Sequence, residues 1–156
     1  MMIRIIHAQT GNHYRRTREL FEQYADALSF DLEFQGFRRE LTTLPGAYAP
    51  PKGCILLAEN EEEIVGCVAL RPLEKLICEM KRLYVVPGHR KQKIGRALAE
   101  AIIDHARNCG YELMRLDTIE SMTAAQALYR SLGFRPIKPY RYNPLDNPSY
   151  FELNLC

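Results

Sequence analysis

A mixed α/β fold is predicted for this chain from three observations. Short β-type apolar runs alternate with charged, helical stretches. A strand, a glycine-bearing loop, a helix and a second strand follow one another in the C-terminal half. With 156 residues, 47% of them hydrophobic, there is material for one core and no length for a second of equal size. One compact domain over residues 1–156 is therefore expected, with no linker, repeat or low-complexity tract.

Taken in order, Ile3, Ile5 and Ile6 around Arg4 suggest a first short strand, and the charged, Tyr- and Phe-bearing region from about Asn12 to Leu44 reads as one or two helices. Residues 54–59 and 64–70 are β-type runs joined by Asn60-Glu61-Glu62-Glu63, the pattern of an antiparallel hairpin with a solvated acidic turn. Residues 77–86 read as a longer strand. Strict alternation there puts Glu79, Lys81, Leu83 and Val85 on one face and Met80, Arg82, Tyr84 and Val86 on the other. Pro87-Gly88 ends it.

Ile94, Ala97, Leu98, Ala101, Ile102 and His105 then recur at helical spacing, while Arg96, Glu100, Asp104 and Arg107 face away. This amphipathic helix starts near Gln92–Gly95 and stops at Gly110. Residues 112–118 supply another strand. Thr123 or Ser121 is a candidate cap for a helix carrying Ala125, Leu128, Tyr129 and Leu132 on one face, and Gly133 suits a left-handed stop. Residues 136–148 read as a Pro- and Tyr-rich loop and 150–155 as a last strand.

Charge is unevenly placed. Twenty-one Lys and Arg against 19 Asp and Glu give +2, but residues 81–96 hold six of the basic side chains (Lys81, Arg82, Arg90, Lys91, Lys93, Arg96) and no acid. The rest of the chain, 15 basic against 19 acidic residues, is net acidic, which argues against a broad nucleic-acid face. Five cysteines form an odd set with no paired-ligand spacing, so neither a zinc site nor a disulfide framework is expected. Apolar runs fall short of the roughly 20 residues that span a bilayer, and the N-terminus does not open like a signal peptide. A cytoplasmic, membrane-free protein is the expectation.

Arg90-Lys91-Gln92-Lys93-Ile94-Gly95-Arg96-Ala97 runs from a strand into a helix, where unpaired backbone N–H groups and the helix dipole favour an anion. Gly95 permits close approach, and the basic side chains add charge-assisted bonds to phosphate. A solvated basic helix start is the competing reading. Dinucleotide and NTP-binding glycine patterns are absent.

These residues resemble the GNAT-type N-acetyltransferases, which use acetyl-coenzyme A. Gln92-Lys93-Ile94-Gly95-Arg96-Ala97 matches the family's Gln/Arg-x-x-Gly-x-Gly/Ala motif, preceded by the strand Glu79–Val85 in the expected place. Ala125, Leu128, Tyr129, Gly133 and Phe134 match its second motif, Asn-x-x-Ala-x-x-Leu-Tyr-x-x-x-Gly-Phe, with Leu116-Asp117 on the strand between. Lys91 and Lys93 stand where many members have glycine, so those positions are expected to avoid glycine-only backbone angles. Met122 replaces the common Asn. The resemblance implies the GNAT acyl-CoA N-acyltransferase fold, a central, mostly antiparallel sheet with helices on both faces. It implies acetyl-CoA as co-substrate without a metal, bound by Leu83, Tyr84 and Val85 along its arm and by Arg90, Lys91, Gln92, Lys93, Ile94, Gly95, Arg96, Ala97 and Ala125.

Acetyl transfer to an amine needs the ammonium deprotonated, because a lysine-type amine has a pKa of roughly 10.4. Glu79 is the candidate base: it is placed on one strand face with Leu83 and Val85, and some members carry a glutamate base there. A strand carboxylate paired with a basic neighbour is the alternative. By resemblance Tyr129 is the acid that protonates the leaving thiolate; the alternative is a core tyrosine. A covalent route through Cys78 competes, yet alternation puts Cys78 opposite Glu79 and no histidine sits at a telling spacing, so direct attack in a ternary complex is favoured. His89 suits a phosphate contact or a solvated loop better than a base.

The acceptor, a small-molecule or peptide amine, should meet residues 28–51 and 139–148, which carry Phe30, Phe34, Phe37, Tyr48, Tyr140 and Tyr142. Ordinary packing explains those aromatics equally well. A non-catalytic acyl-CoA sensor is the rival function, and the choice between monomer and homodimer stays open.

Overall fold

The computed structural model describes residues 2–28, 32, 36–144 and 147–156, with the side chain of Lys91 outside that set; Phe30 and Phe34 also lie outside the described residues. Its strands are β1 (Ile3–His7), β2 (Cys54–Asn60), β3 (Glu63–Glu74), β4 (Ile77–Val85), β5 (Leu113–Thr118), β6 (Arg135–Ile137) and β7 (Ser149–Asn154). Its helices are α1 (Gly11–Leu28), α2 (Phe37–Thr42), α3 (Ile94–Asn108) and α4 (Thr123–Ser131), with 3₁₀ turns at Gly46–Tyr48 and Pro87–Gln92. One seven-stranded sheet runs β1-β2-β3-β4-β5-β7-β6, antiparallel except for β4 and β5, which α3 connects as a parallel crossover.

Helices cover both faces, so the central strands are apolar on both. In β2, Cys54, Leu56 and Ala58 join the core under α3 and α4, while Ile55 and Leu57 join the core under α1 and α2. The α3 stripe buries Ile94, Leu98, Ala99, Ile102, Ile103 and Ala106. At about 1.5–3 kcal/mol for each large apolar side chain, that face anchors the crossover. His105 sits at the core edge, its ring 5.0 Å from that of His7.

Several expectations change. The loop read over 136–148 begins inside a strand, because β6 pairs with Tyr150, Phe151 and Glu152 of β7. Neither Thr123 nor Ser121 caps α4: Met122 holds the N-cap position and no side-chain cap bond forms. Gly133 does take the left-handed geometry, at φ 100°.

The largest departure lies in β4. Cys67 pairs with Tyr84 and Ala69 with Lys81, so Arg82 and Leu83 both oppose Val68, and Arg82 takes φ 62°. This β-bulge reverses the alternation downstream. Leu83 and Val85 therefore turn with Cys78 and Met80 toward α3, and Glu79, Lys81, Arg82 and Tyr84 face α1 and α2. The shared face expected for Glu79, Leu83 and Val85 does not exist.

Candidate active site

Pairing between β4 and β5 is short: Ile77 to Leu113, Cys78 to Met114, Glu79 to Arg115. Beyond Glu79 the strands part, leaving Met80–Val85 without a ladder partner on that side. The cleft so formed passes through the sheet. Met80, Leu83 and Tyr129 line its α3 and α4 side, and Lys81, Asp117 and Tyr24 line the other. It encloses about 30 Å³, narrow enough to exclude bulk water.

At one end of β4 lies the basic turn. The α3 ladder opens with Ala97 N–H donating to the Lys93 carbonyl at 3.1 Å, so the N–H groups of Gly95 and Arg96 precede it, and no side chain caps them. A Cβ at Gly95 would meet only Val85 Cγ2, at 3.9 Å; packing does not demand glycine, and the turn stays open to a ligand. Lys93 has φ 58°, the left-handed region it was expected to avoid. The strain, about 1–2 kcal/mol for a side-chain-bearing residue, falls at the uncapped N-terminus of α3. These donors suit phosphate oxygens.

The other predicted binding residues divide. Arg90 Nε donates to the Val85 carbonyl at 2.9 Å, and its guanidinium packs over the Tyr84 ring, folding it across the strand end. Arg96 Nη1 donates to Ser131 Oγ at 3.0 Å, tying α3 to α4. The Gln92 Oε1 atom lies 3.4 Å from His89 Nδ1. The Ile94 side chain is core, so only its backbone can serve a ligand. Ala97 and Ala125, both half-buried, stand on α3 and α4. Tyr84 points away, its hydroxyl donating to Gln23 Oε1 at 3.3 Å. Of Lys91 only the backbone is described.

Tyr129 reaches the cleft from α4, its ring packed on Phe134 and Phe151, and burial keeps its hydroxyl protonated well above the usual tyrosine range. Met122, at the position of the family's Asn, also lines the cleft, with Sδ 3.4 Å from Thr118 Oγ1. Cys78 faces the α3 core; burial pushes its thiol up to about 12, which removes it as a nucleophile.

Glu79 is fully buried and does not line the cleft. Arg71 Nε donates to its Oε1 at 2.8 Å, while Arg141 Nη2 and the Tyr140 hydroxyl each lie 2.6 Å from Oε2. Burial alone would raise its pKa, but the charges of Lys81, Arg71 and Arg141 and the Tyr140 hydrogen bond outweigh it and leave the carboxylate below its ordinary range. Saturated with donors and weakly basic, it is arranged as an ion-paired anchor rather than the expected base. It stands in a row across the sheet, Arg71, Glu79, Arg115 and Glu152, in register on β3, β4, β5 and β7, with Arg115 Nε 2.9 Å from Glu152 Oε2.

Residues that the sequence did not single out complete the site. Asp117 accepts from Asn143 Nδ2 at 3.3 Å and faces Arg141 Nη1 at 4.0 Å. Arg82 is held by Glu40 at 2.9 and 3.0 Å and packs against Tyr24 and Phe37. Phe37 and Tyr48, offered as acceptor contacts, are core residues of the α1 and α2 side. The signal for Lys81 and Asp117 was a charge inside an otherwise apolar strand; Tyr140, offered as an acceptor contact, is bonded to Glu79 instead, and for Arg71 and Arg141 no local signal existed.

With this geometry in view, likeness to known proteins is informative. The model of the acetyltransferase (GNAT) family matches residues 13–134. An uncharacterized N-acetyltransferase of Schizosaccharomyces pombe is 39% identical over 138 residues, 87% of this chain and 85% of that one. A GNAT-family acetyltransferase of Staphylococcus aureus superposes with TM-score 0.82 at 26% identity, covering 99% and 100% of the two chains. In fold alone, yncA of Salmonella typhimurium, solved with its cofactor acetyl-CoA, is similar at TM-score 0.69 and 21% identity over 99% of this chain and 94% of that one. The chain belongs to the GNAT acetyltransferase family: it is an N-acetyltransferase whose acetyl donor is acetyl-CoA.

Proposed function

We propose that the protein moves an acetyl group from acetyl-CoA to a primary amine of a small molecule or peptide by direct attack in a ternary complex. The observation that carries this reading is the parting of β4 from β5 beside the open N-terminus of α3, with Tyr129 in the gap. Acetyl-CoA supplies the acetyl group as a thioester and departs as the thiol. On this reading its phosphates would be held by the N–H groups of Gly95 and Arg96 with Lys93 and Arg96, and its arm by the main chain of Leu83–Val85, as a strand adds to an exposed edge.

Tyr129 holds the proton that the departing sulfur needs. Its raised pKa suits the role, because the dry cleft that disfavours a phenolate equally disfavours a bare thiolate. Glu79 acts by position: it fixes Tyr140 and Arg141, and through them the wall of the cleft that carries Asn143. The test is a thiol-release assay across a library of amines and peptides. Acetyl-CoA-dependent release with a subset of amines, reduced in Tyr129→Phe through kcat and not through acetyl-CoA affinity, is the expected result. Full turnover in Tyr129→Phe would remove that residue from the chemistry.

A further inference from the structure

Transfer to an amine says nothing of what holds the rest of the acceptor, and one cavity on the α1 and α2 side of the sheet bears on it. Arg39, Glu40, Tyr48 and Arg71 are among the residues that line it, and it encloses about 230 Å³. That volume takes a small charged group and a few carbons, so the cavity suits one end of a ligand rather than a whole one.

Its walls carry donors that the fold does not use. The Tyr48 ring is core, 2% exposed, yet its hydroxyl lies among the charges of Glu40, Arg71 and Arg82 and closes a hydrogen bond to none. A buried hydroxyl without a partner is costly, and a ligand oxygen would remove that cost. Arg71 Nε and Nη2 each lie 2.8 Å from Glu79 Oε1, which leaves Nη1 as a spare donor, and Glu79 is shared with Arg141. Arg39 is exposed, and among the described residues its guanidinium has no partner. Glu40, the acid in the wall, has its two oxygens on Arg82 at 2.9 and 3.0 Å. A carboxylate entering here meets two guanidinium groups and a hydroxyl, while Glu40 disfavours a dianion.

The cavity and the cleft share a partition. Arg82 lines the cleft, Glu40 lines the cavity, and the two are bonded to each other. Along β4 the cavity stands at the level of Glu79, the register partner of Arg71, and Lys81, two residues on, lines the cleft. Two strand residues span roughly 7 Å. The amine and carboxylate of an extended dipeptide lie about that far apart, whereas in an α-amino acid they share one carbon.

We infer that the acceptor is an amine that also carries a carboxylate, spaced about as in a dipeptide. The carboxylate sits in this cavity on Arg39, Arg71 Nη1 and the Tyr48 hydroxyl, and the amine reaches past the Glu40–Arg82 pair into the cleft. The inference names the substrate class of the direct-attack reading above and rests on it.

Two measurements on the whole enzyme test it. With coenzyme A present and no acetyl donor, calorimetric titration of a panel of dipeptides, glycylglycine first, against their C-terminal amides should show the acids bound about tenfold or more tightly. Arg39→Gln and Tyr48→Phe should each shrink that preference to about threefold or less, and Tyr48→Phe, which removes only an unpartnered hydroxyl, should melt no lower than wild type. Equal affinity for acid and amide, a preference that survives both substitutions, or one as large for glycine over glycinamide would overturn the inference, as would no binding of any dipeptide. In thiol release the acids should exceed the amides in kcat/KM, through KM. Selective binding without thiol release counts against the proposed reaction while the carboxylate site stands; equal turnover of acids and amides keeps the reaction and overturns the inference.

Discussion

Toward α3, β4 presents Cys78, Met80, Leu83 and Val85, packed among Leu98, Ile102 and Met114; toward α1 and α2 it presents Glu79, Lys81 and Arg82, each almost as dry. The apolar side is stabilised by burial itself and needs only shape. The polar side is stable only as a set, because each charge depends on a partner from another element: Glu79 on Arg71, Arg141 and Tyr140, Arg82 on Glu40. One strand thus carries an apolar face and an ion-paired face, and the cleft opens where both meet.

Adjacent residues let this contrast be measured. Glu79→Ala should be among the costliest changes, about 3 kcal/mol, since it removes the buried partner of two half-buried guanidinium groups; urea unfolding reads it. Its pH dependence follows from the depressed carboxylate: the contribution is present above the unfolded value of 4.5 and fades as pH falls through the lower folded one, so acid should weaken wild type more than Glu79→Gln. Met80→Ala, one residue away, should cost about 3 kcal/mol with little pH dependence. If both profiles were equally flat with pH, the two faces would not differ as described.

Tyr129→Phe should change stability little and lower kcat by about 100-fold. Lys81 separates the faces in a third way. Its amine lies at about 7 folded against 10.5 unfolded, so the unfolded chain binds the extra proton between those values and stability from this group rises with pH across that window. Lys81→Met should melt above wild type at pH 7, with the gap closing toward pH 10.5. The smallest effect belongs to Lys93→Gly, which relieves the left-handed strain; a gain below about 1 kcal/mol is expected, alongside weaker acetyl-CoA binding.

Much of the apolar side could be read from the chain. The stripe of α3, the β2–β3 hairpin and the two motifs around Gly95 and Tyr129 are local patterns, because helix and strand periodicity constrain neighbours in sequence. Even there the reading broke at Arg82. A bulge costs one residue of register and depends on the partner strand, here Val68, which alternation within β4 does not reveal. The polar side was hidden more deeply. Arg71 is eight residues from Glu79, but Tyr140 is 61 away, and it arrives only because β7 doubles back to pair with β5, which brings the segment after β6 beside Glu79.

By itself, then, the sequence determined most of the elements, the family and the basic turn before α3, since each rests on short-range spacing. Tertiary structure alone decided that Glu79 is ion-paired away from the cleft, that Lys93 is left-handed and that Lys81 faces the cleft. Those outcomes depend on which charges converge across strands distant in the chain, and on how many of them a water-poor interior can hold at once.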